Sequence, residues 1–226
     1  MSRSVVMANW DDVPHLSRAD KDELYAAIPP YQRGARAGGI PQLGSGAIYP
    51  LPENEITVDD FPIPKHWPAT YSMDVGWNKT AALWQAWDRD EDIVYLWSEY
   101  YAGNAKPDIH SVAIKTRGES MSGVIDPSAN GRSQIDGERI LQIYKALGLR
   151  LSKADNSVEA GIYAVWMRLS NQRLKVFKSL QNWLTEYRIY RRDENGKVVK
   201  ENDHLMDCTR YGIMSGLNLC DGWDWS

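Results

Sequence analysis

The stretch Tyr71-Ser72-Met73-Asp74-Val75-Gly76-Trp77-Asn78-Lys79-Thr80 sets one aspartate inside a short apolar run, then a glycine, then a second β-prone run over residues 80–87. Asp74 therefore reads as a carboxylate on or beside a buried strand. Such a group is costly unless it is paired or coordinates a metal. A plainer reading, a capping group next to Gly76, stands beside it. Two further isolated aspartates, Asp126 and Asp207, raise the same question.

Working outward, residues 71–75, 81–87 and 93–101 read as three consecutive strands, with the polar residues 88–92 as the turn between the second and third. Pro107 suits the first turn of a helix, where its missing N–H costs little. Residues 123–126 form a short strand that stops at its aspartate, because Pro127 cannot donate to a ladder. Asp136 leads a helix whose Ile140, Leu141, Tyr144 and Leu147 share one face. Residues 149–151 and 174–177 are brief strands. Between them a helix starts at the capping pair Asn156 and Glu159. Another begins near Ser179 and ends near Tyr187. Residues 187–192 and 197–200 flank Asn195-Gly196, the strongest short hairpin signal, and a last helix covers roughly residues 203–217. The pattern predicts an α/β fold, a mixed β-sheet flanked by helices on both faces.

The first 67 residues differ. Ser17 caps a helix over residues 18–28, which Pro29-Pro30 ends. Gly34, Gly38-Gly39, Pro41, Gly44, Gly46 and Pro50 then exclude regular structure. Residues 1–67 are expected to be an arm or linker, and residues 68–226 one domain.

Composition sets the outer bounds. The chain has 226 residues, 43% of them apolar, enough for a sizeable core. Ten Trp and twelve Tyr against two Phe imply that many rings lie in that core with their polar tips satisfied. No apolar run approaches the roughly 20 residues needed to span a bilayer, and residues 1–10 do not form a secretory signal. Cys208 and Cys220 make neither a disulfide framework nor a zinc spacing, and read as thiols in a reducing compartment. A net charge of −4 excludes a generally basic nucleic-acid coat, though not a local patch.

The chemistry concentrates in the acids. Asp203 and Asp207 are four apart on the last helix, and His204 and Asp207 three apart, so they neighbour one another. If that helix crosses the strand ends, its carboxylates can meet Asp74 and Asp126. Like charges so placed resist ionising, and a divalent cation reverses that. Oxygen ligands suit Mg²⁺ or Mn²⁺ over zinc. Two such ions activate water and stabilise the leaving oxygen in phosphodiester hydrolysis. Taken singly, each aspartate also has a structural reading: Asp126-Pro127 as a turn, Asp203 as an N-cap.

Three segments resemble the nuclease motifs of the large terminase subunit of tailed, headful-packaging bacteriophages: Met73-Asp74-Val75-Gly76-Trp77, Val124-Ile125-Asp126-Pro127-Ser128, and residues 202–212, which read Asn-Asp-His-Leu-Met-Asp-Cys-Thr-Arg-Tyr-Gly. The third is the most specific, with an acid, His, two apolar residues, Asp and a following Arg-Tyr. It departs from the family in placing both Cys208 and Thr209 before Arg210. Trp10-Asp11-Asp12-Val13-Pro14-His15 and residues 44–50 resemble the segment joining the two halves of such proteins. The resemblance implies an RNase H-like (RuvC-like) fold and a metal-dependent DNA endonuclease that cuts concatemeric viral DNA during packaging. Asp74, Asp126 and Asp207 become the catalytic metal ligands, with two Mg²⁺ or Mn²⁺ ions. Asp203, His204 and Glu99 are auxiliary candidates. The implied partners are double-stranded DNA, a terminase ATPase domain, the small terminase subunit and the portal, in the host cytoplasm and away from any membrane. No Gly-x-x-x-x-Gly-Lys-Ser/Thr loop occurs, so ATPase activity is not expected of this chain. A junction resolvase or transposase-type nuclease keeps the fold and changes the substrate. A non-catalytic capsid or portal scaffold leaves the carboxylates structural.

Residues 173–200 carry eight basic side chains against three acids. Of these, Arg188, Arg191, Arg192, Lys197 and Lys200 on and beside the Asn195-Gly196 hairpin are the candidate DNA contacts. They would grip phosphates near Asp207 without reading sequence.

Overall fold

Among the described residues, the strands form a seven-stranded sheet. The computed structural model describes residues 17–27, 46–76, 78–126 and 134–220. The readings made for residues 10–16, Pro29-Pro30, the glycine-rich run up to Gly44, Trp77, Pro127 and the Asp136 side chain lie outside the described residues.

These residues fall into two compact units. One draws on the chain up to Pro50 together with Arg191–Val199, the other on Leu51–Tyr190 together with the chain from Lys200. In the first, helix α1 (Arg18–Ala27) opens on reciprocal bonds, as expected for Ser17. The Asp20 amide donates to Ser17 Oγ at 3.2 Å, and Ser17 donates from its amide and hydroxyl to Asp20 Oδ2 at 3.1 and 2.6 Å. The same unit holds the hairpin, which is shorter than the sequence suggests. Arg192 bridges Val198, the Asp193 carboxylate accepts the amides of Asn195 and Lys197, and Gly196 takes φ +78° at the turn.

In the second unit, a short helix α2 (Glu53–Ile56) leads into β1 (Thr57–Val58). Then come β2 (Ala69–Val75), β3 (Thr80–Asp88), β4 (Ile93–Ala102), α3 (Pro107–Lys115), β5 (Ser122–Ile125), α4 (Gln134–Ala146) and β6 (Arg150–Lys153). The remainder is α5 (Val158–Ser170), β7 (Leu174–Phe177), α6 (Gln181–Ile189), α7 (His204–Met214) and a 3₁₀ turn (Gly216–Leu219). The strand order is β1-β7-β4-β3-β2-β5-β6. β2, β3 and β4 form the antiparallel meander that the sequence predicts, and β5, β6, β7 and β1 join in parallel.

Strand alternation divides the core. Ala69, Tyr71 and Met73 of β2 and Ala82, Trp84 and Ala86 of β3 bury one face against Ile114 of α3 and Leu141 and Tyr144 of α4. Thr70, Ser72 and Asp74 point to the other face, which α7 covers, with α5 and α6 packed against α7. Gly212 of α7 sits where a Cβ would stand 2.4 Å from Gln85 Oε1, and Gln85 Nε2 donates to the Gly212 carbonyl at 2.8 Å. That close approach sets the helix directly on β3. Cys208 and Cys220 are buried, their thiols directed to the Ala81 and Gly216 carbonyls.

Three local expectations are corrected. The helix read from Asn156 starts one residue later, with Ser157 at its N-cap and no side-chain cap bond, because Asn156 Oδ1 instead accepts the Tyr211 hydroxyl at 3.3 Å. Residues 187–189 are the last turn of α6 rather than a hairpin strand. Strand β1 was not anticipated. Its two residues pair with Val176 and Phe177 in tertiary contact alone.

Candidate active site

Strand register brings two of the aspartates side by side. β2 and β5 run parallel with Met73 opposite Ile125, and the Asp126 amide donates to the Met73 carbonyl at 3.1 Å, extending the ladder by one residue. Asp74 and Asp126 thus lie at the carboxyl ends of neighbouring parallel strands, a generic place for a site in an open α/β sheet. The third comes from α7, which crosses the same face. Asp74 is mostly buried, and burial pushes its carboxyl up. The His204 hydrogen bond opposes this shift, while the charges of Asp207 and Asp126 add to it. Asp74 therefore stands in the field of both other carboxylates.

Each acid of α7 is engaged. Asp207 Oδ1 accepts Arg210 Nη2 at 2.7 Å, and Oδ2 accepts Lys200 Nζ at 2.9 Å. Arg210 is fully buried and lies flat against Gly161 and over the Tyr211 ring, so it is a fixed counter-charge. Asp203 Oδ2 pairs with the same Lys200 Nζ at 3.0 Å. His204 Nδ1 lies 2.7 Å from Asp74 Oδ2, a contact that raises the imidazole above its ordinary value. Cys208 and Thr209, the family departure, face inward: Cys208 toward the Ala81 carbonyl, Thr209 accepting Trp183 Nε1 at 2.8 Å.

Asp203 occupies the N-cap position of α7 without making a cap bond. Glu186 of α6 does that work. Its Oε2 accepts the amides of Leu205 and Met206 at 2.6 and 3.3 Å, and its Oε1 accepts the Tyr101 hydroxyl at 2.7 Å. A carboxylate at a helix N-terminus satisfies orphan amides and meets the positive end of the dipole. Because Glu186 takes this role, the Asp203 side chain is left to face Lys200. Burial drives the Glu186 carboxyl up to about 7 despite those bonds. Sequence reading missed Glu186, counting it only as an acid among basic residues. The available signal was its place in Trp183-Leu184-Thr185-Glu186-Tyr187, three positions from a tryptophan on the inward face.

Glu99 is not brought into the cluster. Its oxygens accept the amides of Asn182 and Trp183, both at 2.9 Å, and so cap α6. Of the candidate DNA contacts, Arg188 forms a bidentate pair with Glu53, at 2.6 and 2.8 Å. Arg192 Nη1 donates to the Gly196 carbonyl at 2.9 Å inside the hairpin. Arg191 and Lys197 are exposed on it. Lys200, the next residue after the hairpin segment, is the one whose side chain reaches the carboxylates.

Among the described residues, no three His, Cys, Asp or Glu side chains stand close enough, as placed, to hold an ion. The donor set nevertheless suits a hard divalent cation. It is made of aspartate oxygens, two of them at adjacent strand ends, in a setting where mutual repulsion and burial both disfavour free negative charge. Lys200 and Arg210 supply balancing charge beside Asp207.

Comparison with known proteins agrees with this geometry. Residues 71–215 match the model of the terminase RNase H-like domain. The chain is 33% identical over 230 residues, 97% of its length, to the large terminase subunit of Enterobacteria phage LP7, and covers 48% of that protein. It spans about half the length of the curated relatives it matches. The P22 large terminase nuclease domain superposes with a TM-score of 0.72 at 31% identity, over 77% of this chain and 94% of that one. The large terminase nuclease from thermophilic phage G20c, solved with bound magnesium, shares the fold at 14% identity, with a TM-score of 0.56 over 75% of this chain and 97% of that one. Sheet, site helix and motif spacing converge with these likenesses on one conclusion: the chain belongs to the terminase RNase H-like domain family, as a large terminase nuclease domain.

Proposed function

We propose that this chain is a metal-dependent DNA endonuclease that cleaves concatemeric viral DNA during genome packaging, with little sequence specificity. The observation that supports the reading is that Asp74 and Asp126 end the adjacent strands β2 and β5, while the charge of Asp207 on α7 also acts on Asp74. Asp74, Asp126 and Asp207 would hold Mg²⁺ or Mn²⁺, two ions in the full site. When bound, such ions activate a water and stabilise the leaving oxygen of a phosphodiester. Metal-bound solved nucleases of the same fold support divalent ions as the cofactor.

The chain's own residues set the frame. Arg210 fixes the carboxylate plane of Asp207 from inside the protein. His204 holds one oxygen of Asp74, and that contact raises the imidazole above its ordinary value, favouring the charged form that would offset part of the site's negative charge. Arg191, Arg192, Lys197 and Lys200 would contact DNA phosphates, which position the duplex without reading bases. Residues 1–67 would serve as the arm to a terminase ATPase domain, with the small subunit and portal as assembly partners in the host cytoplasm. The activity test is plasmid nicking with Mg²⁺ or Mn²⁺ and an EDTA control, run beside a Mn²⁺ thermal-shift measurement. Cleavage and the shift should both vanish in Asp126→Asn. An Asp126→Asn chain that cuts and shifts like the parent contradicts the proposal.

A further inference from the structure

Lys200 is the point on which Asp203 and Asp207 converge. The two acids lie one turn apart on α7 and present one oxygen each to the same Nζ, at 3.0 and 2.9 Å. Their side chains are only 10% and 12% exposed, whereas Lys200 is 51% exposed. The ammonium thus reaches in from the surface on a flexible stem. Arg210, the other cation on Asp207, is fully buried. One counter-charge is fixed and the other can leave.

We infer that Lys200 is a built-in competitor for the divalent ion: it neutralises Asp203 and Asp207 in the metal-free site and must withdraw when metal loads. This rests on the proposed metal-binding role of Asp74, Asp126 and Asp207. A dication ligated by Asp207 and an ammonium held on the same carboxylate are like charges a few ångströms apart, and they repel. Lysine suits the task, since its compact, strongly hydrated head returns to water readily, unlike a forked guanidinium. Asp207 keeps its orientation through the exchange because Arg210 retains Oδ1. Lys200 directly follows Val199, the last residue of the hairpin segment, so phosphates that attract Lys200 also relieve its hold on the site. Linkage then requires DNA to tighten metal binding, and metal to tighten DNA binding, by the same factor.

The test is calorimetric titration of Mn²⁺ into the EDTA-stripped 226-residue chain. Lys200→Met should bind Mn²⁺ on the order of tenfold more tightly than the parent, the scale of a charge–charge interaction close to its water-screened strength, as suits a half-exposed lysine. Lys200→Arg should bind Mn²⁺ no more tightly than the parent, because a guanidinium releases the carboxylates less readily than an ammonium. Metal-free Lys200→Met should melt lower, since two carboxylates lose their counter-charge, and should gain more on adding Mn²⁺. Lys200→Gln provides a second neutral variant should the methionine chain misfold. Mn²⁺ affinity equal to or weaker than the parent's in both neutral variants overturns the inference. The underlying metal reading fails by a different sign: a parent chain that binds no Mn²⁺, or an Asp126→Asn chain that binds it as well as the parent.

Discussion

Glu186 shows how one buried carboxylate can organise a site it does not join. Its pKa is raised to about 7, so the native state binds more protons than the unfolded chain between the ordinary glutamate range and pH 7. Stability contributed by this group is therefore greatest in mild acid and falls as pH rises through that window. The size is bounded at about 3 kcal/mol by the shift itself. Burial raises Asp74 in the same direction, so part of the slope belongs to the cluster. Urea denaturation at pH 5 and pH 7.5, in EDTA, should show the parent losing stability at the higher pH and Glu186→Gln losing distinctly less. Equal losses in the two chains would rule out Glu186 as the source. The three aspartates were legible in the sequence because each interrupts an apolar or motif-like run. Glu186 was not, because the helix it caps begins eighteen residues later and only the fold brings the two together. Glu99 misled for the same reason. A carboxylate near a strand end looks like a ligand until α6 is seen to start on it.

At the scale of elements, α7 delivers Asp203, His204 and Asp207 together, and its seating on β3 is set by Gly212 against Gln85. Gly212→Val should force that contact apart at a cost of about 1–3 kcal/mol, the usual range for overpacking. It should weaken Mn²⁺ binding at the same time, because Asp207 moves with the helix. Thermal denaturation and metal titration read the two effects, and an unchanged melting temperature would mean that the helix is not seated as described. Long, strongly patterned elements were readable: the meander, the site helix and the three short parallel strands β5, β6 and β7 each carry an apolar run or a periodic face. Boundaries set by partners were not. Residues 57–58 become a strand only beside β7, and α6 runs on through Ile189 because nothing in the sequence stops it before Tyr190. Asn156 has a cap-like side chain, but Tyr211 claims it.

For the whole molecule, the α/β class followed from the sequence pattern, whereas the order β1-β7-β4-β3-β2-β5-β6 did not, since alternation says which residues are buried but not which strands are neighbours. That order matters chemically. It places β2 between its antiparallel partner β3 and its parallel partner β5, so that Asp74 and Asp126 end up side by side beneath a helix that brings a third aspartate. Asp74, Asp126 and Asp207 are predicted to share divalent metal. Crystals of this chain soaked in Mn²⁺ and measured at the manganese absorption edge test it most directly. The predicted result is anomalous density within about 2.0–2.6 Å of oxygens of Asp74, Asp126 and Asp207, with Lys200 drawn away from Asp207. Manganese bound only elsewhere, with Asp207 still paired to Lys200 and Asp74 to His204, would contradict it.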